Sequence, residues 1–308
     1  MISKEAKNVN TCLTREYFFD SARIGFEYVL KKLLSPNEII LMPAYIGQSE
    51  KEGSGVFDPI RHTQAKVLFY ELNDHLQVNE AKLFRQLMLP NIKALFVIHY
   101  FGFPQKSIFK LKSICEQRNI VLIEDCAHTL QSSIEGQRLG TIGDIALFSL
   151  HKLIATQNGG VVRINNDKYG SLLENVIENI SFADLIQYAK TDILATSAIR
   201  VRNYHQYLSA ISDNSPFFDV MYPDIEDGVI PLNFPIRVKN YDRFSMYNKL
   251  IDKGFITVSL YYRLIDELNR CIFPISFAVS DTILNLPVHQ DTSSKDIEQM
   301  ISCLNTWK

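Results

Sequence analysis

Apolar positions along the chain fall into two patterns, a helical spacing and short unbroken runs. From Ser21 to Leu34 the stretch SARIGFEYVLKKLL places Ala22, Phe26, Val29, Leu30 and Leu33 on one face, with a serine where a helix would be capped, so a helix starts at Ser21. The runs EIILM to Met42, KVLFY to Tyr70, KALFVIH to His99 and NIVLIED to Asp125 are continuous enough to be strands buried on both faces. SIFKLKSICEQ, between the last two, has helical spacing. Strand, helix, strand is a βαβ unit, and its repetition predicts a mainly parallel sheet with helices on both faces. DIALFS from Asp144 is a further strand, and GGVVRI from Gly159 is its partner across a glycine-containing turn. GSG at 53–55 is a turn.

Beyond about Lys168 the pattern changes. Residues to Ile211 alternate helical patterns with polar interruptions, predicting helices that leave the main sheet. NFPIRVK, a helix from Asp242 to Lys253, ILNLPV and a last helix opened by Ser293-Ser294 then form a compact α+β unit. A chain of 308 residues exceeds the usual single-core size, so two domains are expected, a large α/β one over 1–210 and a small α+β one over 211–308.

Composition narrows the function classes. With 46% hydrophobic residues, 21% charged residues and a net charge of -2, nothing marks a surface for a phosphate backbone, so nucleic acid is not an expected partner. The five cysteines, Cys12, Cys115, Cys126, Cys271 and Cys303, are scattered without metal-ligand spacing, as in a reducing cytoplasm, and no metal site is expected. MISKEAKNVNTCLTREYFF lacks the apolar core of a signal peptide, and no run approaches the ~18 apolar residues of a membrane span, so a soluble cytoplasmic protein is expected.

Asp125 ends a strand, where a carboxylate would project from the C-terminal edge of a parallel sheet, the ligand-binding edge of open α/β folds. The same placement suits an acid that caps the next turn or one that holds magnesium. The stretch that follows, EDCAHTLQSSIEGQRLGTIGDIALFSLHKLIATQNGG over residues 124–160, resembles the StrS/DegT-type (DegT/DnrJ/EryC/StrS) sugar aminotransferases, fold type I enzymes that use pyridoxal 5'-phosphate (PLP). Asp125, His128, Gly136, Gly140, Gly143, Asp144, Phe148, Ser149, His151, Lys152, Gly159 and Gly160 fall on the family pattern in order. MPAYIGQ at 42–48, HYFGFPQ at 99–105 and LPVHQDTSSKDIEQM at 286–300 extend the likeness over nearly the whole chain.

The resemblance implies an aminotransferase that moves an amino group, from glutamate, to a nucleotide-linked keto-sugar for surface polysaccharide or lipopolysaccharide, acting as a homodimer. Asp125 would hold the pyridine nitrogen protonated, and Lys152, the only lysine between Lys112 and Lys168, would link the cofactor and shuttle a proton. Ser21, Ala22 and Arg23 stand where the family has Ser-Gly-Thr, and with Ser149 would hold the phosphate; His128 would touch the ring or its 3'-oxygen.

Departures accompany the likeness. Lys152 lies three residues after Ser149, where most members have five, and Arg23 replaces a threonine. The family's stacking aromatic would align with Gly47, which cannot stack, leaving Tyr45 or Tyr100 as substitutes. No Asn-x-Arg motif is recognisable between Asn175 and Arg202. A branch of the family with histidine in place of the lysine performs dehydration, which keeps His151, beside Lys152, in view; Tyr100, His151 and His289 are candidate substrate contacts. A dehydratase-like PLP enzyme and a non-catalytic ligand-binding homologue stay open as alternatives. His62, His75 and His205 read as solvated, and Tyr261-Tyr262 with FPISFAV near Phe273 as packing.

Overall fold

The computed structural model describes residues 15–176, 180–211, 215–255 and 257–307. Cys12 and the N-terminal stretch through residue 14 lie outside them; Cys115, Cys126, Cys271 and Cys303 are free thiols.

The first half alternates strands and helices: β1 (Arg15–Phe19), α1 (Ala22–Leu33), β2 (Ile39–Pro43), α2 (Asp58–Thr63), β3 (Lys66–Tyr70), α3 (Glu80–Leu87), β4 (Ile92–Ile98), α4 (Ile108–Arg118) and β5 (Val121–Asp125). A small hairpin of β6 (Ser133–Ile134) and β7 (Gln137–Arg138) precedes β8 (Ile145–Ser149) and β9 (Gly160–Ile164). Seven of these strands form one sheet in the order β1-β9-β8-β5-β4-β2-β3. β3, β2, β4, β5 and β8 run parallel, whereas β9 is antiparallel to both β8 and β1. Every residue of β5 and β8 is buried, which is why their sequences read as unbroken apolar runs.

α1 begins where the spacing places it, with the Ser21 hydroxyl accepting from Ile24 N. Its Phe26, Val29, Leu30 and Leu33 are buried, each worth roughly 1.5–3 kcal/mol. Gly160 allows the N-terminal turn of α1 to rest on β9, since a Cβ there would lie 2.0 Å from Ala22 N.

After α5 (Phe182–Lys190) and α6 (Ile193–Ala210), a second sheet of β10 (Phe218–Val220), β11 (Asn233–Val238) and β12 (Ile283–Pro287) carries α7 (Arg243–Asp252), α8 (Pro274–Thr282) and α9 (Ser294–Asn305). α6 packs on this second sheet and α9. Arg200 donates to Leu232 O, Asn203 to Val288 O and Thr292 O, and Tyr207 to Pro287 O. By these contacts the small unit is held by residues that precede 211, because the face of α6 matches the small sheet.

Candidate active site

β5 and β8 end side by side, with Asp125 paired to Leu147 in register, and the α1 N-terminus lies across β9 from them. These three ends surround a cavity of about 340 Å³ lined by Ser21, Ala22, Arg23, Asp125, Ala127, His128, Ser149, His151 and Lys152. Gly47 and a loop from Gln48 to Val56 form another wall, and Ser259 to Tyr262 of the small unit close it.

Asp125 is buried, and its Oδ1 accepts from Ala127 N at 2.9 Å. Among the described residues nothing donates to Oδ2. Burial pushes the carboxyl above the usual range, against the pull of Lys152 and the Ala127 N–H. A buried acid with one unserved oxygen facing a cavity suits a ligand that brings a cationic N–H.

Lys152 sits in a single turn of 3-10 helix, Leu150–Lys152, anchored by the buried Leu150, whose N–H donates to Gly159 O. The short loop still delivers the amine to the cavity: Nζ lies 3.0 Å from His128 Nε2. Phe101 N donates to His128 Nδ1 at 3.1 Å. A backbone N–H can only donate, so Nδ1 accepts and neutral His128 carries its proton on Nε2. That proton points at Lys152 Nζ, which can receive it only as an uncharged amine with a free lone pair. The electrostatics agree. Burial, opposed by Asp125, holds the Lys152 amine below its ordinary value, and burial with the neighbouring amine holds His128 well below its own.

The neighbour of Asp125 fixes the strand end. Glu124 is fully buried and accepts from Gly140 N, Ile142 N, Gly143 N and His99 Nε2, while Gln105 N donates to His99 Nδ1. His99, Glu124 and Cys126 place ligand-type atoms within 4.8 Å of one another, but both ring nitrogens and the carboxylate are engaged by protein hydrogen bonds. The cluster ties the β6–β7 hairpin to the sheet.

At the phosphate-sized end, the N–H groups of Ala22 and Arg23 open α1 without helical carbonyls to serve, beside the Ser21 and Ser149 hydroxyls. The Arg23 guanidinium turns to the 49–58 loop, pairing with Asp58 at 3.2 Å and donating to Glu52 O. His151 is exposed, with Nδ1 3.3 Å from Ser149 Oγ.

Three sequence candidates stand elsewhere. Tyr45 is buried behind the cavity wall, its ring stacked on Tyr261 at 5.2 Å. Tyr100 is buried and donates to Tyr45 O. His289 lies beside Asp291 at 3.6 Å, outside the cavity. Sequence reasoning reads Tyr261 as packing, yet its ring lines the cavity; the signal is the glycine at 47, whose missing side chain leaves the room.

Residues 54–183 match the model of the DegT/DnrJ/EryC1/StrS aminotransferase family. The match covers less than half of the 308-residue chain, which over those residues is similar to this family. Relatives similar to it include a GDP-perosamine synthase of Escherichia coli O157:H7, 32% identical over 190 residues that cover 54% of this chain and 52% of the relative. The match thus spans about half the length of that relative. Among solved structures, an aminotransferase of Helicobacter pylori involved in pseudoaminic acid biosynthesis superposes with a TM-score of 0.75 at 18% identity, covering 95% of this chain and 86% of the other. The E. coli GDP-4-keto-6-deoxy-D-mannose-3-dehydratase, solved with bound hydrated PLP, does so with 0.74 at 15%, covering 94% and 88%. Both share the fold of a large, mostly parallel sheet with helices, and among the described residues no helix is long and apolar enough to cross a membrane.

Proposed function

We propose that this chain is a member of that family, a pyridoxal-phosphate-dependent aminotransferase that moves an amino group from glutamate to a nucleotide-linked keto-sugar, in the making of deoxy-amino sugars for surface polysaccharide. It acts in the cytoplasm as a homodimer, as the resemblance implies. The observation that carries the reading is one cavity holding a buried Asp125 carboxylate with a free oxygen and, 3.0 Å from His128 Nε2, a Lys152 amine that burial holds below its ordinary value.

The residues fit the cofactor. Asp125 Oδ2 would accept from a protonated pyridine nitrogen, whose charge would relieve the cost of burying the carboxylate. The first-turn N–H groups of α1 with the Ser21 and Ser149 hydroxyls would hold the phosphate; Ser21 Oγ accepts from Ile24 N and keeps its hydrogen to donate. When bound, the cofactor supplies an aldehyde that links to amines and a ring that draws electrons from the adjoining carbon. Lys152 Nζ, with its lone pair available, is the base that lifts the proton from the amino carbon and returns it. His128 orients that amine through Nε2.

The test starts from purified protein given PLP. The wild type acquires the visible absorbance of bound cofactor, and glutamate bleaches it; Lys152→Ala shows no bleaching. A wild type that takes up no cofactor overturns the reading. A cofactor band indifferent to glutamate would move it to the dehydration branch, with His151 at the cavity wall as the residue to change next.

A further inference from the structure

Gly47 and Tyr261 occupy one another's space. A Cβ on Gly47 would lie 2.8 Å from Tyr261 Cδ1 and 3.2 Å from its Cα, so any side chain at 47 would displace the ring. The two segments are fastened together on either side of this contact. Gln48 N donates to Arg263 O and Ile265 N to Ile46 O, both at 3.0 Å, and Gly47 bridges Leu264. Tyr261 itself has a left-handed backbone, φ 60°, an uncommon conformation for a bulky residue that the surroundings must impose. Ser280 Oγ donates to its carbonyl at 2.6 Å.

The ring so held has one face covered. It stacks on Tyr45 at 5.2 Å and 27°, and meets Tyr100, Phe101 and His128 edge-on at 5.7, 5.8 and 6.0 Å. It also lines the cavity that holds Asp125 and Lys152, and Asp125 adds to the burial that raises its hydroxyl. Among the described residues the hydroxyl makes no hydrogen bond, so the ring is what the site uses.

We propose that Tyr261, carried in from the small unit, is the aromatic side chain that packs against the cofactor ring, and that Gly47 is the empty position that admits it. The inference rests on the PLP reading of the cavity and adds a residue to it. A rigid aromatic wall fixes the plane of a flat heteroaromatic ligand, and offset stacking contributes affinity beyond simple burial. Because the wall comes from the small unit, seating of that unit and completion of the cofactor site are one event.

The experiment measures PLP affinity by titration of the cofactor-free protein, together with the circular dichroism of the bound cofactor band, which reports how rigidly the ring is held. Wild type comes first: if it does not bind PLP, the proposed function fails and Tyr261 is not what failed. Given wild-type binding, Tyr261→Phe keeps the affinity and the dichroic band. Tyr261→Leu weakens binding by several-fold to about tenfold, the equivalent of one stacked aromatic pair, and diminishes the band. Tyr261→Leu indistinguishable from wild type in both readouts overturns the inference. The double variant Gly47→Phe with Tyr261→Ala regains affinity, because a side chain at 47 points into the space the tyrosine ring leaves. Should Tyr261→Leu fail to fold, the double variant decides: tight binding with a restored band supports the wall, and loose binding overturns it.

Discussion

His128 is the residue on which the chemistry of Lys152 turns, and its state follows from one backbone bond. With Nδ1 committed to Phe101 N–H and Nε2 already carrying the proton, a second ring proton would have to go to Nδ1 and break that bond, so the ring stays neutral. Nitrogen NMR of the histidines in the cofactor-free protein should find the His128 proton on Nε2, with no titration near 6.5. The amine has a matching signature. The rate at which PLP couples to the cofactor-free protein should rise with pH to a plateau, with a midpoint below the 10.5 of an ordinary lysine. Asp125 is what holds that midpoint up, so Asp125→Asn should move it further down. Asp125 has a stability consequence of the opposite sense. Its folded value is raised, so the contribution is fully present below the unfolded value, near 3.8, and is lost as pH rises through the folded one. At neutral pH the buried carboxylate is therefore a cost, and Asp125→Asn should raise the Tm of the cofactor-free protein while removing the cofactor's pyridine partner. A lower Tm would contradict the direction.

At the scale of elements, the apolar runs reveal the central strands because both faces of a parallel strand are buried, and β2, β3, β4, β5, β8 and β9 all fall on runs read from sequence. β1 does not announce itself, since Arg15–Phe19 is an edge strand whose first four residues are exposed or half-buried. The two-residue strands of the hairpin and the short α2 are too brief to show a period. Asp125, Lys152, Ser149 and the α1 N-terminus are legible because they sit at element ends in a dense motif. Tyr261 is not, because its place depends on a chain crossing between units that spacing cannot encode. The contact between α1 and β9 offers a direct test of an element end. Gly160→Ala would drive a methyl into the Ala22 backbone, an overpacking worth roughly 1–3 kcal/mol. If the first turn of α1 is the phosphate seat, PLP affinity should fall more than that of pyridoxal, which lacks the phosphate. Equal losses for both would remove α1 from the phosphate site.

The two units are joined by links beside the cavity and by others away from it. Arg61 of α2 grips Glu267 with two hydrogen bonds, at 2.8 and 2.7 Å, and the strand-like pairing of 46–48 with 263–265 joins the same two units. On the far side, Asn203 of α6 is fully buried and its amide donates to the carbonyls of Val288, His289 and Thr292, just before α9. Asn203→Ala strands those buried carbonyls, at a cost of about 1–3 kcal/mol, and so lowers Tm by roughly 2–10 °C for a protein of this size. Asn203 does not line the cavity, so the fate of the cofactor site in this variant reports on coupling alone. If the units unfold together, calorimetry shows one transition in wild type and variant, and saturating PLP raises both by a similar increment, since ligand that binds only the folded state adds stability set by its own affinity. Two transitions, with PLP raising only one, would mean that the small unit can melt away from a site left intact. That outcome would be incompatible with a cofactor wall built from Tyr261.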